Sequence, residues 1–144
     1  MGVILDSSIL IAAERRRFDL ARFLAAHPDD LFFITVITAS ELLHGCARAT
    51  DAGIRARRVR FVEEVLNDYF ILPLNLVEAR EHARLWAELD AHGTPIGERD
   101  LFIAAIAKAA SHSLATLNQG EFSRVPELKL VDVAAFVPPT TAGH

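Results

Sequence analysis

The sequence predicts an α/β fold in which helices cover both faces of a mostly parallel sheet. Short β-rich runs alternate with helical stretches along the chain. Several of those runs are apolar almost throughout instead of at every second residue, as strands buried on two faces are. A late segment, residues 101–110, is apolar on nearly every side, so it is expected as a helix packed against the sheet.

The first strand is expected over residues 3–6, where Val3, Ile4 and Leu5 run into Asp6. This opening is expected to be a first strand and not a secretory leader, because it lacks a basic start and Asp6 interrupts the apolar run. Strands follow at 31–36, 69–74, 114–117 and 128–131, making a five-stranded sheet. Between them, Phe61, Val62, Val65 and Leu66 mark one side of a surface helix. Ala79, Ala83, Trp86 and Leu89 give residues 77–91 a helical stripe, with Trp86 expected in the core. The chain should form one domain over residues 1–137, and residues 138–144, with two prolines, two threonines and a glycine, are expected to fray.

Composition narrows the function. Hydrophobic residues at 51% and charged residues at 24% fit a globular chain, which excludes a disordered one. The single cysteine, Cys46, forms no internal disulfide and no cysteine-rich zinc site, and suits a reducing cytoplasm. No apolar run approaches the ~20 residues of a membrane helix. A net charge of −4 excludes a general nucleic-acid coat but leaves room for an enzyme that grips phosphate locally. Thirteen of the fifteen basic residues are arginine, clustered at 15–17 and 55–60. Such runs ordinarily form solvated helix faces, with phosphate tracking the second reading.

The acids carry the sharper argument. Asp6 ends the first strand, Glu41 follows the second in TASEL, and Asp100 opens the buried helix after a turn-forming stretch. Each has an ordinary role available. Asp6 can cap the next helix, Thr38 and Glu41 match a capping box, and Asp100 suits a helix dipole. All three nevertheless fall at the edge of a parallel sheet where ligands bind. Carboxylates crowded there repel one another unless a cation neutralises them, and oxygen donors suit a hard ion, Mg²⁺ or alternatively Mn²⁺. A fourth contribution is expected from TLNQGEF, where Asn118 and Glu121 are both candidates and a turn or surface role is open to each.

VILDSSILIA, TASELLHG, IGERDLFIAAIA and TLNQGEF followed by RVPELKLVD, in that order, resemble the PIN-domain family, and within it the VapC-type toxins of bacterial toxin–antitoxin pairs. The likeness spans essentially the whole chain. It implies sheet order 3-2-1-4-5, metal-binding acids at Asp6, Glu41 and Asp100, and a supporting polar shell from Ser7 or Thr116. Asn118 stands where many relatives carry aspartate. The resemblance further implies Mg²⁺-dependent cleavage of RNA, homodimerisation, and inhibition by a small VapB-type antitoxin. An ion at the acids would position the scissile phosphate and activate water. An aspartate-nucleophile phosphatase fits less well, because Ser7 and Ser8 stand where a second aspartate is wanted. The non-enzymatic alternative is a metal-free protein-binding module on the same fold.

Overall fold

In the computed structural model, which describes residues 2–139, the chain runs β1 (Gly2–Leu5), α1 (Ser7–Glu14), α2 (Leu20–Ala26), β2 (Leu31–Thr35), α3 (Val36–Arg48) and α4 (Ala52–Asp68). It continues through β3 (Phe70–Leu72), α5 (Leu76–Ala91), α6 (Glu98–Ala110), β4 (Ser113–Ala115) and α7 (Gln119–Phe122) to a 3₁₀ turn at Ala134–Phe136. The strands pair in parallel in the order β3-β2-β1-β4. In register, Ile4 lies beside Phe33 on one side and Leu114 on the other.

β1 is central and buried along its whole length. Its side chains still alternate between faces, as a strand requires. Val3 and Leu5 enter one core, with Ile9 and Leu10 of α1, Phe23 of α2 and Val62 and Val65 of α4. Ile4 enters the other, with Leu85 and Leu89 of α5 and Ile103 and Ile106 of α6. The result is three layers, helices over sheet over helices. The all-round apolarity of residues 101–110 is explained here, because Leu101 and Ile103 to Ala107 are all buried.

Three expectations need correction. The fifth strand is reduced to a single parallel bridge, Leu114 to Leu130, at the position the order 3-2-1-4-5 requires. Leu114 donates to Lys129 and Val131 to Leu114. Beyond that, Asp132 accepts from the amide of Ala134 and turns the chain into the 3₁₀ turn, which ends the pairing. Trp86 is not core but 55% exposed, because the buried stripe of α5 is Leu85 and Leu89, and one residue adds about 100° of rotation. Finally, α3 starts earlier than the capping-box spacing suggested. Its cap is Thr35, whose side chain accepts from the amide of Thr38 at 3.1 Å. The predicted fraying tail lies, from residue 140 onward, outside the described residues.

Asp51 caps α4 in the same way, accepting from the amide of Ile54 at 2.8 Å. Asp51→Ala is expected to cost ~0.5–2 kcal/mol of stability, read as a lower denaturant midpoint with an unchanged slope. Among the described residues no helix is long and apolar enough to cross a membrane.

Candidate metal centre at the carboxyl edge of the sheet

Asp6 occupies the cap position of α1 but does not cap it, since its side chain accepts no bond from the helix amides. Its Oδ2 instead accepts from the hydroxyls of Ser8, at 2.7 Å, and Thr116, at 2.8 Å. Its Oδ1 is buried with no hydrogen-bond partner among the described residues. A buried carboxylate oxygen left without a donor is costly unless something else meets it. Two hydroxyls therefore fix the group while one oxygen is kept for another partner.

Thr116 is the hub of this arrangement. Fully buried just past β4, it donates to Asp6 and accepts from the amide of Asn118 at 3.0 Å. Ser8 bonds across the same gap by accepting from the amide of Leu117. The family resemblance points to Ser7 or Thr116 as the support and leaves out Ser8. Its bond to Asp6 is local, two residues away, but only the pairing of β1 with β4 brings Ser8 beside Thr116. Ser7 is oriented differently and donates to Glu41 at 3.4 Å.

Glu41 sits in the second turn of α3, too far in to serve as a cap. Burial and then the charge of Asp6 raise its pKa, against the Ser7 hydroxyl and the nearby Arg99. Asp100, in the first turn of α6, is pushed up to about 7 by burial and then by the charges of Asp6 and Glu121, with Glu41 contributing. Asp6, Glu41, Asp100 and Glu121 thus share one electrostatic neighbourhood.

Asn118 and Glu121 are tied to the same cluster. The amide nitrogen of Asn118 donates to Asp100 at 3.1 Å and to Glu121 at 3.0 Å. The other oxygen of Glu121 accepts from the backbone of Gly97, and this bond, followed by the Asn118 amide, holds the carboxyl below its usual range. Glycine leaves room for this bond, since a Cβ would stand 3.2 Å from Glu121 Oε1 and would press on it. Glu121 therefore fastens the turn that launches α6 and sets the position of Asp100.

The donor set is all oxygen, including an unpartnered buried carboxylate oxygen, which suits a hard divalent cation. The carboxylates converge without closing into a finished cage, and among the described residues no group of three or more His, Cys, Asp or Glu stands ready to hold an ion. An ion that keeps several waters needs only one or two direct carboxylates, so an open arrangement is compatible with a hydrated divalent cation. As a test of the hub, Thr116→Val should retain the fold but lower metal affinity or turnover ~10–100-fold, as loss of a partner behind a ligand does. Calorimetric metal titration would read it.

A groove of about 760 Å³ opens beside Glu41, walled by Arg15, Arg48, Arg58 and Arg99. Arg58 is fixed by donating to the carbonyl of Gly45 and by pairing with Glu14. A chain of net charge −4 thus presents a guanidinium-lined wall next to its acids.

A parallel α/β domain with an acidic cluster at the carboxyl ends of its strands defines the class. The chain belongs to the PIN-domain family, whose family model matches residues 3–128. Its likeness narrows to the VapC proteins. It is 35% identical over 133 residues to "Ribonuclease VapC" of Rickettsia bellii, covering 92% of this chain and 97% of that one. It superposes on a chain of the VapBC-5 toxin–antitoxin structure from Mycobacterium tuberculosis with a TM-score of 0.73 and 31% identity, covering 90% and 98% of the two chains. VapBC2 from Rickettsia felis, solved bound to promoter DNA, gives a TM-score of 0.82 at 24% identity over 91% and 98%, a likeness of fold.

Proposed function

We propose that the chain is a divalent-metal-dependent endoribonuclease, the toxin of a VapBC-type pair, with residues 1–137 as one nuclease domain. The observation that carries this is Asp6, held by two hydroxyls at one oxygen and left open at the other, within the field of Glu41 and Asp100. The VapC names of its relatives support the choice of RNA and of a small antitoxin as partner. A cytoplasmic location and a homodimer belong to the same reading.

In this reading Asp6, Glu41 and Asp100 hold Mg²⁺ or Mn²⁺, which when bound supplies Lewis-acid activation of water and neutralises charge on the phosphate. Ser8 and Thr116 orient Asp6, Ser7 orients Glu41, and Glu121 acts through Gly97 to fix Asp100. Arg15, Arg48 and Arg99 line the path of the RNA backbone and attract its phosphates at the acidic edge. Asn118 and Glu121 serve as positioning groups in this reading, because the Asn118 amide nitrogen and both Glu121 oxygens are already engaged within the cluster.

The test is cleavage of RNA by the purified chain across Mg²⁺ and Mn²⁺ concentrations, with chelator as the control and sequencing of the product ends. Metal-dependent internal cuts are expected. RNA left intact at every metal concentration would favour the metal-free binding module instead. Asn118→Ala and Glu121→Gln are expected to lower turnover while leaving the metal midpoint close to the parent's. A shifted midpoint in either would make that residue a ligand.

A further inference from the structure

Trp86 is the chain's only tryptophan, and the acidic cluster makes no use of it. Its indole is exposed on α5 at the rim of a recess of about 360 Å³. Pro95, Ile96 and Leu101 give the recess apolar walls, and Asp90 and Glu98 supply two carboxylates. Behind Trp86, the ring of His82 stacks on Phe102, with centroids 3.9 Å apart and planes 7° from parallel. The Nε2 of His82 is buried without a hydrogen-bond partner among the described residues. An exposed ring beside a slot with polar groups at its margin suits a flat, partly polar guest.

The position of the recess says which guest. Glu98 lines this recess, the arginine groove, and the mouth formed by Glu41, Gly97, Arg99 and Asp100. Glu98 borders both openings at the first turn of α6, so a strand whose phosphate lies at Asp100 can reach the recess around that end of the helix. Two acceptor-only carboxylates repel phosphate and favour a ligand edge that donates N–H bonds. We propose that the recess between α5 and the start of α6 binds one unpaired nucleobase of the RNA held at the acidic edge. Trp86 stacks on that base, and Asp90 and Glu98 accept from its amino group. The proposal rests on the nuclease reading and adds the source of base preference to it. Single-stranded RNA is ordinarily read this way, by stacking on aromatic side chains and hydrogen bonding to splayed base edges.

A second copy of the chain is the competing occupant. The apolar surface that would suit it best lies elsewhere, around Phe70, Leu76 and Val77, and Leu76 is about 15 Å from Trp86 along α5.

Because Trp86 is unique, its fluorescence reports on the recess alone. The full-length chain carrying Asp100→Asn should be titrated with short single-stranded RNA and with a ribose-phosphate oligomer of equal length lacking bases. Anisotropy of the labelled oligomer would report binding. The expected result is saturable quenching by RNA and none by the baseless oligomer, with guanine-, adenine- or cytosine-containing RNA more effective than oligouridine. With the catalytic acids intact, Trp86→Ala should raise KM ~5- to ~150-fold and redistribute the cut sites, while Trp86→Phe restores both. Binding of RNA without quenching, or equal quenching by the baseless oligomer, overturns the pocket while leaving the nuclease intact. So does a change in emission with protein concentration alone, which would give the recess to a second copy. Absence of cleavage by the parent chain under all metals overturns the nuclease reading and the pocket together.

Discussion

Asp100→Asn is expected to abolish cleavage, lowering turnover on the order of 10³-fold or more, while making the metal-free protein more stable at alkaline pH. The first effect follows from losing an anionic ligand worth several kcal/mol in charge stabilisation. The second follows from repulsion. With its carboxyl pushed from 3.8 up to about 7 in the folded state, Asp100 binds a proton more tightly folded than unfolded. The stability this contributes is complete below the unfolded value and is lost as pH rises through about 7. Asparagine carries no charge at any pH, so the variant should lose this part of the pH slope. Thermal melts of metal-free parent and variant at pH 5 and pH 8 would check it. A variant that melts below the parent at pH 8 would show that Asp100 is not opposed by its neighbours. Cleavage at the parent's rate would remove it from the site.

Glu41→Gln is the companion expectation: a folded, inactive protein. Glutamine keeps an acceptor for Ser7 but removes a charge that burial and Asp6 already strain, so the melting temperature should hold or rise. Metal binding and turnover should fall as for Asp100→Asn, because a neutral amide is a poorer partner for a hard cation. The control is Thr35→Ala. Thr35 is the true cap of α3, and losing it should cost ~0.5–2 kcal/mol of stability while leaving turnover intact at low temperature. Calorimetric metal titration together with melting curves separates the two variants. Normal metal dependence in Glu41→Gln would leave Asp6 and Asp100 to act without it.

The particular residues show what a linear reading can reach. Placement at a strand end or in the opening turns of a helix is what singles out Asp6, Glu41 and Asp100 as candidates, because a parallel sheet gathers those points at one edge. The role of Glu41 was harder, since Thr38 lies three residues before it and imitates a cap whose actual owner is Thr35. Ser8 is hard to read because two of its three partners, Thr116 and the amide of Leu117, lie more than 100 residues away. Trp86 was misjudged for the opposite reason, a local pattern taken too literally. It neighbours the buried stripe, and size alone argues for burial until the sheet shows which side of α5 faces in. The fifth strand had the right composition and position but too little straight chain before Asp132 bent it away.

The bond from Thr116 to Asp6 spans 110 residues of sequence. Its consequence is temporal. Asp6 is synthesised 110 residues before Thr116, so the hydroxyl that steadies Asp6 arrives only after most of the domain has been made. A nascent chain can fold its early helices, yet it cannot complete the acidic edge before β4 has emerged and paired with β1. Fragments ending before Thr116 should therefore lack the completed acidic edge, and with it cleavage of RNA.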